Sequence, residues 1–92
     1  MIDPTKVKYK ENEQLEEIAE YIQSTYGQHY ANGLNIQAFD AIKEIDGKEA
    51  WRFFRNCALK YLWRFGKKEG FSRKDLLKAC HYLVLLMSVT KE

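Results

Sequence analysis

The sequence predicts an all-α domain of four helices, the last two long and antiparallel, assembled into an oligomer. Apolar residues recur at helical spacing along the chain, and no segment alternates apolar and polar residues as a half-buried strand does. A single proline in 92 residues argues against long irregular regions. So short a chain forms one domain, residues 1–92, and its limited core leaves a lone monomer marginally stable.

The N-terminal part is expected to be an arm followed by an acidic helix. Residues 1–10, with one proline and scattered lysines, are typical of a flexible or strand-like arm. From Glu11 to about Thr25 a narrow apolar stripe predicts an amphipathic helix. Gly27 stands where a helix C-cap is expected. The stripe consists of Leu15, Ile18, Ala19 and Ile22.

The second helix is predicted to be short. Asn35 has the side chain of an N-cap for residues 36–45, in which Phe39 and Ile42 turn inward. The dipeptide Asp46–Gly47 is a turn signal that breaks this helix.

The third helix is predicted from a capping pattern. Asp46 is followed three residues later by Glu49, which resembles a capping box. The helix should therefore begin at about Lys48, continue to about Phe65 and stop at Gly66.

The fourth helix has a clear start and an unusual surface. Ser72, with Asp75 three residues on, predicts a capped helix over residues 73–90. A surface helix needs one apolar stripe, but this helix is apolar nearly all round after its first two turns. The extra apolar surface indicates contact with another subunit. The residues expected at that contact are Leu85, Leu86 and Val89.

Positive charge gathers in the second half of the chain. Residues 1–49 contain five Lys and Arg against ten Asp and Glu, whereas residues 50–92 contain ten against three. The unpaired N–H groups at the start of the fourth helix lie next to this charge, and such a helix end binds anions such as phosphate. A solvated basic face that balances the acidic first helix is the alternative interpretation. The basic residues concerned are Lys60, Arg64, Lys67, Lys68, Arg73, Lys74 and Lys78.

Several other kinds of chemistry are not supported by the sequence. No apolar run is long enough to cross a bilayer and the N-terminus has no signal-peptide core, so we expect a cytosolic protein. Cys57 and Cys80 are expected to be buried thiols, and together with His29 and His81 they lack the spacing of a zinc site. Residues 66–72 lack the spacing of a Walker loop. We therefore expect no metal, no cofactor and no catalytic residues.

Three motifs, in this order, resemble a group of small phage proteins described as nucleotide kinase-like. The resemblance spans about residues 21–87. The motif residues are Gln28, His29 and Tyr30; Asn56, Lys60, Tyr61, Arg64, Gly66, Lys67, Lys68 and Gly70; and Asp75, Leu76, Lys78, Ala79, Tyr82 and Leu83.

Within that group, the compact length and the helix ahead of the first motif look most like the phage anti-CBASS sponges. This resemblance implies a hexamer, active against host defence in the bacterial cytoplasm, that sequesters cyclic dinucleotides such as cyclic GMP-AMP, and cyclic trinucleotides, without cleaving them. It implies a nucleotide contact at Tyr21 and phosphate contacts at Lys67, Lys68 and Arg73. The ligand-binding residues expected altogether are Tyr21, Tyr26, His29, Tyr30, Lys60, Arg64, Lys67, Lys68, Ser72 and Arg73.

The chain also departs from the pattern of that group. Arg55 stands where the wider group has glycine, and Ile36 and Ala38 replace a basic or hydroxyl-bearing pair, so the choice of ligand can differ. Two other functions are carried as alternatives. One is a nucleotide kinase-like phosphotransferase, and the other is a small nucleic-acid-binding module that uses the same basic residues.

Overall fold

The computed structural model describes residues 1–28, 34–67 and 70–90, and over these ranges it is all-helical. The all-α prediction is therefore confirmed for this part of the chain. Short 3₁₀ turns at Pro4–Lys6 and Gly47–Glu49 accompany the α-helices. The helices are α1 (Glu11–Gln28), α2 (Leu34–Asp46), α3 (Trp51–Arg64) and α4 (Arg73–Thr90).

The N-terminal arm contains a defined local structure. The carboxylate of Asp3 accepts hydrogen bonds from the backbone N–H of Thr5 at 2.9 Å and from its hydroxyl at 2.7 Å. Pro4 occupies the first position of the 3₁₀ turn, where its fixed φ suits the helical start. A turn therefore takes the place of a strand in the first ten residues.

Two predicted helix boundaries are wrong. Gly27 lies inside α1 instead of capping it, although glycine inside a helix costs about 1 kcal/mol relative to alanine, and the turn before it is partly buried. Thr25 in that turn is buried, and Tyr26 faces a groove formed with the other helices. Asn35 likewise lies inside α2, which begins at Leu34, and is not its N-cap.

The capping box predicted before the third helix is also wrong. Asp46 has helical backbone angles, φ −86° and ψ −18°, and its side chain makes no capping hydrogen bond. Gly47 has φ +56°, a left-handed conformation that favours glycine, so α2 ends at Asp46 as predicted. A 3₁₀ turn follows and delays the start of α3 to Trp51.

A second left-handed glycine shapes the turn between α3 and α4. Gly66 has φ +84°, and its N–H donates to the carbonyl of Gly70 at 2.7 Å. A Cβ at Gly66 would lie 3.0 Å from the ring of Phe71, whose centre lies 5.5 Å from that of Phe65 with the two planes tilted by 59°. The prediction that α3 stops before Gly66 is confirmed, as are the predicted bounds of α4.

The core is small and lies mainly between α3 and α4, which share the largest interface between helices. Phe54 is fully buried. Phe39 brings α2 onto this core, with its ring 5.8 Å from that of Phe54 and 6.1 Å from that of Tyr82. The apolar residues classed as buried in the described ranges are Ala50, Phe54, Ala58 and Ala79.

A buried ion pair joins the end of α3 to the start of α4. The side chain of Asp75 is 4% exposed, and its Oδ2 lies 3.5 Å from Nε of Arg64. The Arg64 side chain is 30% exposed, so its guanidinium reaches the surface while its inner edge faces the carboxylate. Asp75 therefore links two helices in addition to its place in the first turn of α4.

The chain exposes more surface than a compact monomer of its mass. Its accessible surface is 7118 Å², whereas a compact monomer of this mass exposes about 5,600 Å². Its radius of gyration is 14.7 Å, against about 12 Å for a compact domain of equal length. The open shape leaves large apolar side chains exposed on α3, on α4 and in the turn between them. They are Leu59, Leu62, Trp63, Phe71, Leu83, Val84 and Met87.

The three residues expected at a subunit contact are half-buried within the chain. Leu85 and Val89 line a groove with α1, α2 and α3, and Leu86 is also partly covered. The more exposed apolar residues of α4 are Leu83, Val84 and Met87, at 43%, 45% and 68%. The contact between copies stays a prediction, and Leu83, Val84 and Met87 offer it more exposed apolar surface than the three residues expected.

We predict that Asp75→Ala lowers the free energy of unfolding by about 3 kcal/mol, because it leaves the partly buried Arg64 charge without its carboxylate. Chemical denaturation of the variant and of the parent measures the difference. Asp40→Ala, which removes an exposed carboxylate of α2, is the matched control and should change stability by less than about 0.5 kcal/mol. Equal losses in the two variants would show that the ion pair contributes little.

Candidate functional site

Two lysines lie over one tyrosine ring on the α3–α4 surface. The ammonium groups of Lys60 and Lys78 are 4.9 Å and 5.2 Å from the ring centre of Tyr61. That ring stacks on Tyr82, with centres 5.8 Å apart and planes inclined by 12°. The negative face of an aromatic ring attracts cations, so the ring holds two positive charges together at one place.

Two further aromatic side chains adjoin the stacked rings of Tyr61 and Tyr82. Tyr21 of α1 meets His81 of α4 edge to face, with ring centres 6.2 Å apart. His81 lies 6.5 Å from the ring of Tyr82 and so connects the two pairs. We call the whole group the tyrosine–lysine cluster. Its members are Tyr21, Lys60, Tyr61, Lys78, His81 and Tyr82.

Burial controls the protonation of two members of the tyrosine–lysine cluster. His81 is 7% exposed, and burial lowers the pKa of its imidazole, which favours the neutral form. Burial raises the pKa of the Tyr21 phenol, and the neighbouring Tyr61 raises it further. The Tyr21 hydroxyl therefore stays protonated near neutral pH and can donate a hydrogen bond to an anion.

Arg73, expected to contact phosphate, is held by α1. Its Nε donates to Oε1 and Oε2 of Glu17, both at 2.9 Å, and its Nη2 donates to Oε1 of Glu17 at 2.5 Å and to Oε1 of Gln14. The hydrogen bond lowers the pKa of Glu17 and raises that of Arg73. An anion at this position would compete with the Glu17 carboxylate for the same guanidinium.

Lys67, another expected phosphate contact, is paired with a tryptophan. Its ammonium lies 4.1 Å from the ring centre of Trp63 and donates to the Trp63 carbonyl at 3.1 Å. The indole is 71% exposed and Lys67 is exposed beside it. This arrangement leaves part of the ammonium and one face of the indole open to a ligand.

The other expected ligand residues are dispersed or lie outside the described residues. Arg64 faces Asp75 in the buried ion pair, and the Ser72 carbonyl accepts the Asp75 N–H at 3.1 Å in the first turn of α4. Tyr26 lies apart from the tyrosine–lysine cluster, in a groove of about 340 Å³ at the junction of the helices. His29, Tyr30 and Lys68 lie outside the described residues.

Of the expected ligand residues, Tyr21 and Lys60 belong to the tyrosine–lysine cluster. Lys60 contacts the Tyr61 ring, and Tyr21 is linked to that ring by way of His81 and Tyr82. The sequence interpretation missed Lys78, Tyr82 and His81 as partners, although Lys78 and Tyr82 are four residues apart on α4 and belong to the quoted motif. That spacing was the signal that could have identified them. It also missed the role of Glu17, for which the chain offers no local pattern.

Free thiols are present at both cysteines, Cys57 and Cys80, which are half-buried. Burial raises the pKa of the Cys57 thiol. In the described ranges, no three His, Cys, Asp or Glu side chains are grouped so that they could hold a metal ion. None of the helices described here is long and apolar enough to cross a membrane.

The geometry defines a small helical protein with aromatic and cationic groups on one surface. The chain belongs to the family described as protein of unknown function (DUF3310), whose model matches residues 24–84. The match includes the end of α1, all of α2 and α3, and most of α4. No curated protein and no solved structure gives a significant match.

We predict that His81 makes stability pH-dependent. Burial lowers the pKa of His81 in the folded state below the ordinary value of about 6.5. The contribution of neutral His81 to folding stability is therefore complete above about pH 6.5, and it is lost as the pH falls from there toward the folded pKa. Unfolding measured between about pH 7 and pH 5.5 should show this loss in the parent. The loss of stability on acidification should be absent in His81→Phe and retained in His29→Phe. A loss of equal size in His81→Phe would contradict the prediction.

Proposed function

We propose that the protein binds cyclic di- and trinucleotides and sequesters them without chemical change, as an anti-defence protein of a phage. The observation that carries the proposal is the tyrosine–lysine cluster, in which two ammonium groups share the ring of Tyr61 beside the phenol of Tyr21. A nucleotide offers the two complementary features, an anionic phosphodiester and a flat base. Cations and aromatic faces held together suit both.

The lysines would supply most of the binding energy. Each charge-assisted hydrogen bond to a phosphate contributes roughly 1.5–3 kcal/mol. Among the residues that the structure describes, Lys60 and Lys78 form no ion pair, and a π face attracts an ammonium without using its N–H groups in a strong hydrogen bond. Lys67 and the exposed face of Trp63 extend the same chemistry toward the turn after α3. Arg73 contributes less, because Glu17 already holds it.

The sequence motif and the surface coincide, and this also supports the proposal. The motif residues that resemble the nucleotide kinase-like phage group include Lys60, Tyr61, Lys78 and Tyr82, which form most of the tyrosine–lysine cluster. The resemblance to the anti-CBASS sponges implies binding without turnover in the host bacterial cytoplasm, and cyclic GMP-AMP is a representative ligand. We therefore propose a binding protein that is not an enzyme.

We further propose that α3 and α4 are antiparallel and that copies of the chain assemble, by resemblance as a hexamer. Arg64 at the end of α3 faces Asp75 at the start of α4, while Phe54 near the start of α3 adjoins Val89 near the end of α4. The excess of exposed surface favours assembly, as does a core in which, within the described ranges, Phe54 is the one large side chain that is fully buried.

We predict that Lys60→Ala and Lys78→Ala each weaken cyclic-dinucleotide binding ten- to a hundredfold, through the loss of a charge-assisted hydrogen bond. Isothermal titration with cyclic GMP-AMP and a panel of cyclic di- and trinucleotides measures the effect. Lys43→Ala, at an exposed lysine of α2, is the matched control and should bind as the parent does. Chromatography of ligand released by heating should return it intact.

Other outcomes of these measurements would replace the proposal. Linear or hydrolysed ligand, or consumption of ATP with a nucleotide, would favour the phosphotransferase. Absence of cyclic-nucleotide binding, together with DNA or RNA binding that weakens steeply with salt, would favour the nucleic-acid-binding module. Equal affinity in the parent, Lys60→Ala and Lys78→Ala would exclude the tyrosine–lysine cluster as the site.

Assembly is predicted to be stable at micromolar concentration. Light scattering of the parent without nucleotide should give about six times the mass of one chain, the number that the resemblance implies. Assembly is favoured because the exposed apolar surface becomes covered between copies. A mass equal to that of one chain would exclude the assembly and leave the ligand proposal to its own test.

A further inference from the structure

The outer face of α3 carries an unusual combination of groups for a surface in contact with water. Opposite the buried Phe54, the side chains of Leu59, Leu62 and Trp63 are 55%, 48% and 71% exposed. Two arginines lie on the same face, one turn apart. This basic–apolar face consists of Arg52, Arg55, Leu59, Leu62 and Trp63, which share one side of the helix by their spacing.

The two arginines are available to a partner. Arg52 lies 3.3 Å from Glu49 in an ion pair that is mostly exposed, with the arginine side chain 62% accessible, and such pairs are weak. Arg55 lies over the ring of Trp51 at 4.9 Å and donates to the amide oxygen of its neighbour Asn56 at 3.2 Å. Neither guanidinium is buried, so a carboxylate from outside can reach both.

The outer face of α1 offers the complementary groups. Glu16 and Glu20 are exposed and four residues apart, hence on one face. Neither has an ion-pair partner among the described residues, whereas Glu17, on another side of the helix, is bound to Arg73. Leu15 is 44% exposed and lies beside Ala19, also exposed, at the edge of this face. The acidic–apolar face of α1 thus consists of Leu15, Glu16, Ala19 and Glu20.

The geometry points to a contact between two copies in which the acidic–apolar face of α1 binds the basic–apolar face of α3. Each face carries two like charges about one helical turn apart and an adjoining pair of apolar positions with the same spacing. The carboxylates of Glu16 and Glu20 meet the guanidinium groups of Arg52 and Arg55, while Leu15 packs on the exposed leucines of α3. We take the contact as head to tail, which closes into a ring when its rotation allows, whereas a reciprocal two-fold contact between the same two faces would give a dimer.

The surface area agrees with such a contact. Each copy in a head-to-tail ring uses both faces, and a standard interface buries about 800 Å² per partner. The accessible surface of 7118 Å² exceeds that of a compact monomer by about 1,500 Å². This excess is about what two interfaces per copy would cover. The inference rests on the assembly proposed above and identifies the two surfaces that form it.

Charge reversal and mixing test the contact. One variant carries Arg52→Glu and Arg55→Glu, and the other carries Glu16→Lys and Glu20→Lys. A control with Lys8→Glu and Lys43→Glu makes the same change in net charge as the arginine variant, but elsewhere. Light scattering without nucleotide should give the mass of one chain for each reversed variant and the parent mass for the control. An equimolar mixture of the two reversed variants should regain the parent mass, because each reversed face then meets a face of opposite charge.

Four results would overturn the inference. The first is a parent with the mass of one chain, and the second is a reversed variant that keeps the parent mass. The third is a control that loses the parent mass. The fourth is a mixture that stays monomeric although circular dichroism shows that both variants are helical. If the variant with Glu16→Lys and Glu20→Lys alone keeps the parent's assembled mass, the contact is a symmetric one between the α3 faces of two copies. A monomeric parent that carries nucleic acid and loses it on reversal of Arg52 and Arg55 would identify the α3 face as a nucleic-acid surface. Because no nucleotide is added, these results are separate from the test of ligand binding.

Discussion

The ion pair of Arg64 with Asp75 is the constraint on which the candidate site depends. A carboxylate that is 4% exposed needs a cation, and the available cation ends the helix that precedes it. The pair lies where the end of α3 meets the start of α4, as a charge contact whose two facing atoms form no hydrogen bond with each other. The site needs this pairing of the two helices, because Tyr61 of α3 stacks on Tyr82 of α4 and lysines from both helices lie over the Tyr61 ring.

The small core explains why the surfaces carry so much of the chemistry. Phe54 fills the space between α3 and α4, while alanines at the other buried positions let the helices approach closely. With aromatic residues spread over the outer faces, several cations of the described residues lie near a ring. Lys60, Lys67, Arg55 and Lys78 all lie within 5.2 Å of an aromatic ring centre. Nucleotide recognition and contact between copies would both draw on this pairing.

The sequence was sufficient to predict the helices but not the contacts between them. Apolar periodicity and the glycines at 47 and 66 identify four helices and two of their ends, because these signals are local. Gly27 and Asn35 misled because α1 continues to Gln28 and α2 already begins at Leu34, so both residues lie inside helices. Asp46 failed as a cap because its backbone stays helical. Local propensity cannot report such tertiary effects.

The candidate site was predictable only in part, for the same reason. Charge and motif spacing indicated a basic surface near α3 and α4, and a series of ring contacts through His81, Tyr82 and Tyr61 links Tyr21 to Lys60. The partners of Arg64 and Arg73 were not predictable, since Asp75 resembled a capping residue and Glu17 is 56 residues distant from Arg73. When a charged side chain is already paired with another residue of the same chain, its charge alone does not identify it as a ligand contact.

The separation of Glu17 from Arg73 along the chain has a consequence for the order of folding. Contacts between α3 and α4 join neighbouring helices across a short turn, so their closure entropy is small and they can form early. The contact of α1 with α4 must close a loop that contains both intervening helices. The topology therefore favours a pathway in which α3 and α4 pair first and the N-terminal helix docks onto them afterwards.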